Sequence, residues 1–238
     1  MVIPGIYAAV SALRLAGRRV NQTAHNLANA STTAFVPRRV DQADVAGGGV
    51  QAAGTTPLGA GPVVPTERAL DLAIDGPGFF VINDGAGGQL YTRAGNFVIN
   101  AEGQMVDALG RSLVPPIEIP QEATSIRVTS TGQVQALADD GTVLAEGQIQ
   151  TAVFGNAASL EPVGGNAFRA TRASGPPVTA EPGTPGHGRI VSGALQASGT
   201  DIAREMVNLT IDQRSFEANL RSVQTFDDML GSVLDLKA

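Results

Sequence analysis

A few residues have side chains and spacings that could do chemistry. Asp71 and Asp75 flank an alternating segment, Leu70-Asp-Leu-Ala-Ile74, and paired carboxylates are the usual equipment of acid–base catalysis. On a strand, however, residues four apart share a face at ~13 Å separation. That is wide for paired work, so the two aspartates read as strand-face or turn residues. Gly76-Pro-Gly78-Phe-Phe80 follows a strand, as phosphate loops do. Pro77 removes an N–H, no helix follows and no Gly-Lys-Ser/Thr run appears, so a tight turn before a buried strand is the better reading. His25 and His187 are the only histidines, and neither has a metal-ligand partner in the sequence. No serine sits in a nucleophile elbow. With no cysteine, disulfides, thiolate chemistry and cysteine metal sites are excluded. The expectation is a chain that is not an enzyme and uses no metal or cofactor.

Composition narrows the partners. The net charge is −6 with no basic block, so the electrostatic footprint of a nucleic-acid binder is missing. No apolar run reaches the ~18–20 residues that span a membrane, so no membrane insertion is expected. In the opening MVIPGIYAAVSALRLAGRR the charges follow the apolar stretch instead of preceding it, unlike a signal peptide. The chain therefore reads as cytosolic or as exported without a cleaved signal.

The elements that would position these residues divide by their helix breakers. Residues 1–39 hold two Gly and two Pro, residues 200–238 hold one Gly and no Pro, and the other 26 Gly and 12 Pro lie between. The ends can be long helices and the middle cannot. Ile6, Val10, Leu13, Gly17, Val20, Ala24 and Leu27 follow 4-3-4-3 spacing, as do Ile202, Met206, Leu209, Phe216, Leu220, Val223, Leu230 and Leu234, with Gln213 and Asp227 as interruptions. Such a stripe faces a partner helix. Ser198-Gly-Thr-Asp201 reads as a capping box with Ser198 as N-cap, and Glu217 with Arg221 as an i,i+4 pair. The first zone carries five Arg and no acid, the last seven acids and four bases. Opposite charge favours their pairing.

The middle reads as β. Leu70–Ile74, Gly78–Ile82, Leu90–Arg93, Asn96–Ile99, Ile117–Ile119, Ser125–Val128, Gln133–Leu137 and Val143–Val153 are short strand candidates with turn residues between them, and Asp139-Asp-Gly141 signals a hairpin. Residues 45–62 and 174–188 read as flexible loops. The expected fold is α+β. Residues 1–40 and 199–238 pair as a coiled-coil-like domain, 41–69 form a linker, and 70–198 form an all-β domain resembling a barrel or sandwich.

Four stretches in order resemble the bacterial flagellar rod and hook family: Asn26-Leu27-Ala28-Asn29 through Phe35; Leu72 through Gly76, Gly78, Phe79 and Phe80; Tyr91-Thr92-Arg93, Gly95 and Phe97, continuing through Val106; and Ser192 through Leu230, with Glu205-Met-Val-Asn208 and Arg214-Ser-Phe-Glu217. Two features depart from the family: Ala34 stands where Gly is usual before Phe35, and the connector over 36–69 is short for a distal-rod subunit. The resemblance implies a structural subunit of the basal-body rod, most like the distal or proximal type, exported unfolded by the flagellar type III apparatus. It implies a periplasm-spanning helical tube that transmits torque, with paired end helices around the export channel. The implied partners are copies of itself, other rod and hook subunits, and the surrounding basal-body rings. A hook-type subunit, or a secreted binding module on a coiled-coil stalk, is the alternative.

Overall fold

Helix breakers do partition this chain. The computed structural model describes residues 3–45 and 49–235. The described residues form two long α-helices and many short strands, an α+β arrangement. They fall into two units: Met1–Ser31, Val36–Gly59 and Gly199–Ala238 make one, and Thr32–Phe35 with Ala60–Ser198 make the other.

The first unit holds α1 (Ile3–Ala28), β1 (Arg38–Asp44), β2 (Val50–Pro57) and α2 (Ile202–Asp235). The 34 residues of α2 extend roughly 50 Å. Asp201 caps α2: its side chain accepts the Arg204 N–H at 3.2 Å and its carbonyl accepts the Glu205 N–H at 2.9 Å. A short side-chain acceptor just ahead of the first turn satisfies an orphan N–H there. The expected capping box on Ser198 is therefore wrong, because the helix begins after Asp201. At the other end of this unit's chain order, Asn29 closes α1 by donating to the His25 carbonyl at 2.9 Å.

Residues 50–57 form a strand within the stretch 45–62, whose Gly content suggested a flexible segment. β1 and β2 form an antiparallel hairpin from Arg38↔Pro57 to Asp44↔Val50, with a bulge between Asp41 and Gln42. The Val50 N–H donates to Ser11 Oγ at 3.1 Å, so the hairpin is fastened to α1. That tie involves residues far apart in sequence, which is why a local reading missed the strand. Gly47 and Gly48 of the expected glycine loop lie outside the described residues.

The second unit is β-rich. Its strands are β3 (Val63–Pro65), β4 (Leu72–Asp75), β5 (Phe79–Asn83), β6 (Gln89–Thr92), β7 (Val98–Ile99), β8 (Met105–Val106), β9 (Ser125–Val128), β10 (Gln133–Leu137), β11 (Val143–Gln148), β12 (Thr151–Val153), β13 (Glu161–Gly164), β14 (Ala167–Arg169), β15 (Val178–Ala180), β16 (Arg189–Ser192) and β17 (Ala194–Gln196). Six of them form an open sheet in the order β13-β14-β6-β5-β12-β15, and β11-β10-β9 form a second. Pairs β16-β4, β17-β3 and β7-β8 complete the set. No sheet among the described residues closes on itself, so the barrel expectation is corrected to open sheets. Ile117–Ile119 supplies only an isolated bridge, Gln104↔Glu118, and the expected 174–188 loop contains β15. The Asp139-Asp-Gly141 turn does join β10 to β11.

β5 is apolar on both faces, as its continuous Phe-Phe-Val-Ile run requires. Phe80 and Ile82 enter a large core with Leu72, Phe97, Met105, Leu113, Val134 and Ile149. Val81 enters a second cluster with Tyr91, Ala152, Phe154 and Leu160. Strand side chains alternate in direction, so one strand serves two cores.

Candidate assembly surfaces on the end helices

In the helical unit, α1 and α2 run antiparallel and meet in one register. A Cβ on Gly5 would lie 3.0 Å from the Phe226 ring. Arg19 Nη1 lies 4.0 Å from Asp212 Oδ1, and Asn26 Nδ2 donates to Glu205 Oε1 at 3.1 Å. Each step along α1 between these contacts is matched by an equal step back along α2. Among the described residues, those buried on α1 are Ala9, Leu15, Ala16, Thr23 and Asn26, and those on α2 are Glu205 and Asp212.

That register displaces the stripe read from the sequence by one residue along α1. Ile6, Val10, Leu13, Val20 and Leu27 are half-buried, and Ala24 is exposed. On α2, Leu209 and Val223 are half-buried, while Ile202 (50% exposed), Met206 (56%), Phe216 (40%) and Leu220 (41%) face solvent in the single chain. The side chains of Leu230 and Leu234 lie outside the described residues. A helix drifts about 100° per residue, so a 4-3 stripe and its neighbour can both be apolar or small, and spacing alone does not say which faces inward. The structure buries mostly small and polar residues between the two helices, with Phe226 against Gly5, and leaves Ile202, Met206, Phe216 and Leu220 exposed on α2. The Glu217–Arg221 pair is not among the ion pairs of the described residues.

The polar residues at the contact are satisfied by one another. Asn26 is 2% exposed. Its amide also donates to the Arg38 carbonyl at 2.9 Å, and its Oδ1 accepts the Arg38 N–H and Gln22 Nε2, each at 3.1 Å. Burial holds the Asp212 carboxyl above its usual range, and the Arg19 charge and the Thr23 hydroxyl oppose that only in part. Sequence reasoning passed over this set, although its signal was present. Arg19 and Asn26 are one heptad apart, as are Glu205 and Asp212, on helices of opposite charge.

In the β unit, the motif residues hold a turn and a core. Gly76 has φ +117°, and a Cβ there would come within 2.9 Å of the Gly188 Cα. A Cβ on Gly95 would lie 1.6 Å from the Leu72 carbonyl oxygen, so no side chain fits. Gly78 also has positive φ, in keeping with a tight turn. Arg93 lies 5.3 Å above the Phe79 ring and donates to the Gly76 carbonyl at 2.8 Å, which pins that turn. Phe80 and Phe97 meet edge to face at 5.1 Å. Thr92 donates to the Asn166 carbonyl at 2.8 Å, and Tyr91 packs edge-on against Phe154. Asn166 in turn donates to the Thr33 carbonyl at 2.7 Å, while the Ala34 N–H donates to the Gln196 carbonyl at 2.7 Å, so Thr32–Phe35 belongs to this unit. Ala34 is held at φ +55°, a left-handed conformation that suits the Gly usual there. Asp71 is buried beside Arg68, at 3.5 Å, while Asp75 is exposed, so they form no carboxylate pair. His187 Nδ1 shares a hydrogen bond with Thr151 Oγ1 at 3.0 Å. Among the described residues, no three His, Cys, Asp or Glu are placed to hold a metal, and no helix is long and apolar enough to cross a membrane.

Comparison with known proteins agrees with this arrangement. Residues 73–136 match the family model for the flagellar hook protein FlgE/F/G D1 domain, and residues 191–236 match that for the flagellar basal body rod FlgEFG protein C-terminal region. The flagellar basal-body rod protein FlgG of Agrobacterium fabrum is 37% identical over 238 residues, covering 88% of this chain and 90% of that protein. The chain belongs to the flagellar basal-body rod protein family. FlgG of Caulobacter vibrioides is 34% identical, covering 92% of this chain and 94% of its own. The hook protein FlgE of Helicobacter pylori matches over 47% of this chain but only 16% of its own length. This rod-family chain is thus a structural subunit of the flagellar basal body, in a family whose members assemble with themselves and with other rod and hook subunits.

Proposed function

We propose that this chain is a distal-rod-like subunit that stacks with its own copies into a helical tube through the outer face of α2. The observation that carries this reading is that face itself: Ile202, Met206, Phe216 and Leu220 recur at heptad-like spacing and remain exposed in the single chain. Burying such side chains is worth roughly 1.5–3 kcal/mol each. α1 and α2 act together as a coiled-coil-like pair, with the half-buried Ile6, Val10, Leu13, Val20 and Leu27 beside it as further assembly positions, and with Leu230 and Leu234 continuing the α2 stripe. A contact that does not close on itself, repeated between copies, generates an open filament. The paired helices line the export channel, the β unit packs outside them, and the tube carries torque across the periplasm. Neighbouring subunits, the surrounding rings and the type III export apparatus are its partners, and the function uses no catalysis. End-to-end similarity to FlgG rod proteins supports a rod position over the hook, which is matched over a small share of its length.

Leu220→Asp tests this reading. It is expected to abolish rod completion and swimming in cells that depend on this subunit. The melting of the purified chain should change little, because Leu220 is 41% exposed before assembly. Glu217→Ala, which removes no ion pair, should swim normally. Normal swimming by the Leu220→Asp strain would refute the role of this face.

A further inference from the structure

We infer that two polar layers, the buried Asn26–Glu205–Arg38 and the Arg19–Asp212–Gln42 layer, whose carboxylate is buried while Gln42 is exposed, set the register in which α1 meets α2. Both layers have the same construction. In each, an α1 side chain touches an α2 carboxylate and also reaches β1: Asn26 through both backbone groups of Arg38, and Arg19 through Gln42 Oε1 at 2.7 Å. The layers lie one heptad apart on both helices and obey one antiparallel register, which the Gly5–Phe226 contact extends. Glu205 and Asp212 are 4% and 7% exposed; Glu205 takes the Asn26 amide, and Asp212 takes Arg19 together with the Thr23 hydroxyl one turn along α1.

The rest of the contact selects a register less sharply. Its α1 side includes Gly5, Ala8, Ala9 and Ala12, small residues that pack against many partners, although Gly5 is set closely against Phe226. The polar layers do discriminate. If α2 slides one heptad one way, Arg19 meets Glu205, but Asp212 falls against Ala12 and Asn26 passes the start of α2. If it slides the other way, Asn26 meets Asp212, Arg19 meets Asn219 instead of an acid, and Glu205 runs past the end of α1. Each slip parts Glu205 or Asp212 from its native partner, and the first leaves Asp212 against Ala12, which is costly in an apolar contact. A single polar position fixes register in two-stranded coiled coils in the same way. The consequence concerns the isolated chain and holds whether or not the outer face of α2 carries assembly.

The absence of cysteine makes the test direct. Ala12→Cys with Asn219→Cys reports the observed register, since the two positions lie seven residues along each helix from the Gly5–Phe226 contact. Gly5→Cys with Asn219→Cys, and Ala12→Cys with Phe226→Cys, report the two heptad slips. A heptad is roughly 10 Å along the axis, and a disulfide needs Cα atoms within about 7 Å. In the otherwise native full chain, the first pair should oxidise and the other two should not. With Asn26, Glu205, Arg19 and Asp212 all changed to Leu, slipped products should rise several-fold at the expense of the first. If circular dichroism shows that chain to be unfolded, Glu205→Gln with Asp212→Asn replaces it, keeping shape while removing the charge penalty, and the same rise is expected. Slipped products in the native chain, or no rise in the folded variant, would overturn the inference and assign the register to the chain connections.

Discussion

In the β unit the buried side chains are large and apolar, with Phe80, Phe97, Leu72, Ile82 and Met105 almost wholly enclosed. Among the described residues of the helical unit, by contrast, they are Ala9, Leu15, Ala16, Pro37 and Val40, together with the polar Thr23, Asn26, Glu205 and Asp212. Ile202, Met206, Phe216 and Leu220 of α2 are exposed in the single chain. The β unit completes its core within one chain. The helical unit places polar side chains at its internal contact and leaves apolar area uncovered. That division is the one expected if the chain assembles through its helices as proposed above: stability in one region, selective stickiness in the other.

The contrast can be broken most sharply by truncating one aromatic in each unit. Phe80→Ala should destabilise the β unit by about 3–5 kcal/mol, the usual cost of emptying a fully buried aromatic site. Phe216→Ala should leave the melting of the purified chain within about 0.5 kcal/mol of native, while impairing swimming. Thermal denaturation and a motility assay read the two effects. Equal destabilisation by both changes would remove the distinction between the units.

Asn26→Ala comes next. It leaves the buried Glu205 carboxylate and both Arg38 backbone groups short of a partner, at a cost of about 1–3 kcal/mol. The loss should show as faster amide exchange in α1 and the hairpin, with the β unit unchanged.

Acid should act on the two units in opposite senses. The folded-state pKa of Asp212 is raised from 3.8 by burial. Its protonated form therefore favours the fold: the benefit is full below 3.8 and is lost as pH rises through the raised value. Asp84 and Asp140 are lowered, Asp84 first by the Ala86 and Gly88 N–H groups and Asp140 first by the Thr142 hydroxyl. Their contribution is present above 3.8 and fades as pH falls through the lowered values. Asp212→Asn should accordingly stabilise the helical unit at neutral pH, with the gain over native vanishing in acid. Melting of the two proteins across pH 3 to 7 (about the span set by these groups) checks the sign.

The smallest effect is expected at Ala34→Gly. Relief of a left-handed φ gains about 1–2 kcal/mol, and the extra freedom of Gly in the unfolded chain returns about 0.5–1. A net stabilisation of about 0–1.5 kcal/mol is expected, measurable as a small rise in denaturation midpoint. A loss of stability would show that the Ala34 methyl packs better than its φ costs.

The sequence by itself determined where the two helices and several of the strands lie. Gly and Pro act through the backbone of their own residue, so their confinement to the middle showed directly that α1 and α2 must be the ends. The Phe79–Ile82 run and the glycines at 76 and 78 are local in the same sense, and they were legible as a buried strand and its turn. Four ordered motifs sufficed to suggest the family. Tertiary structure alone decided which stripe of each helix faces its partner, because adjacent stripes of Ala, Val and Leu satisfy the same spacing. It decided that residues 50–57 are a strand, because that strand exists through pairing with 38–44 and a hydrogen bond to Ser11. It decided that Asp201 caps α2, and that the β sheets stay open, since edges and closure depend on pairings between distant segments. Asn26 shows the boundary most clearly. As a residue type it announces a polar group on a helix, and only its meeting with Arg38 and Glu205, the latter 179 residues away, makes it a buried hydrogen-bonding hub.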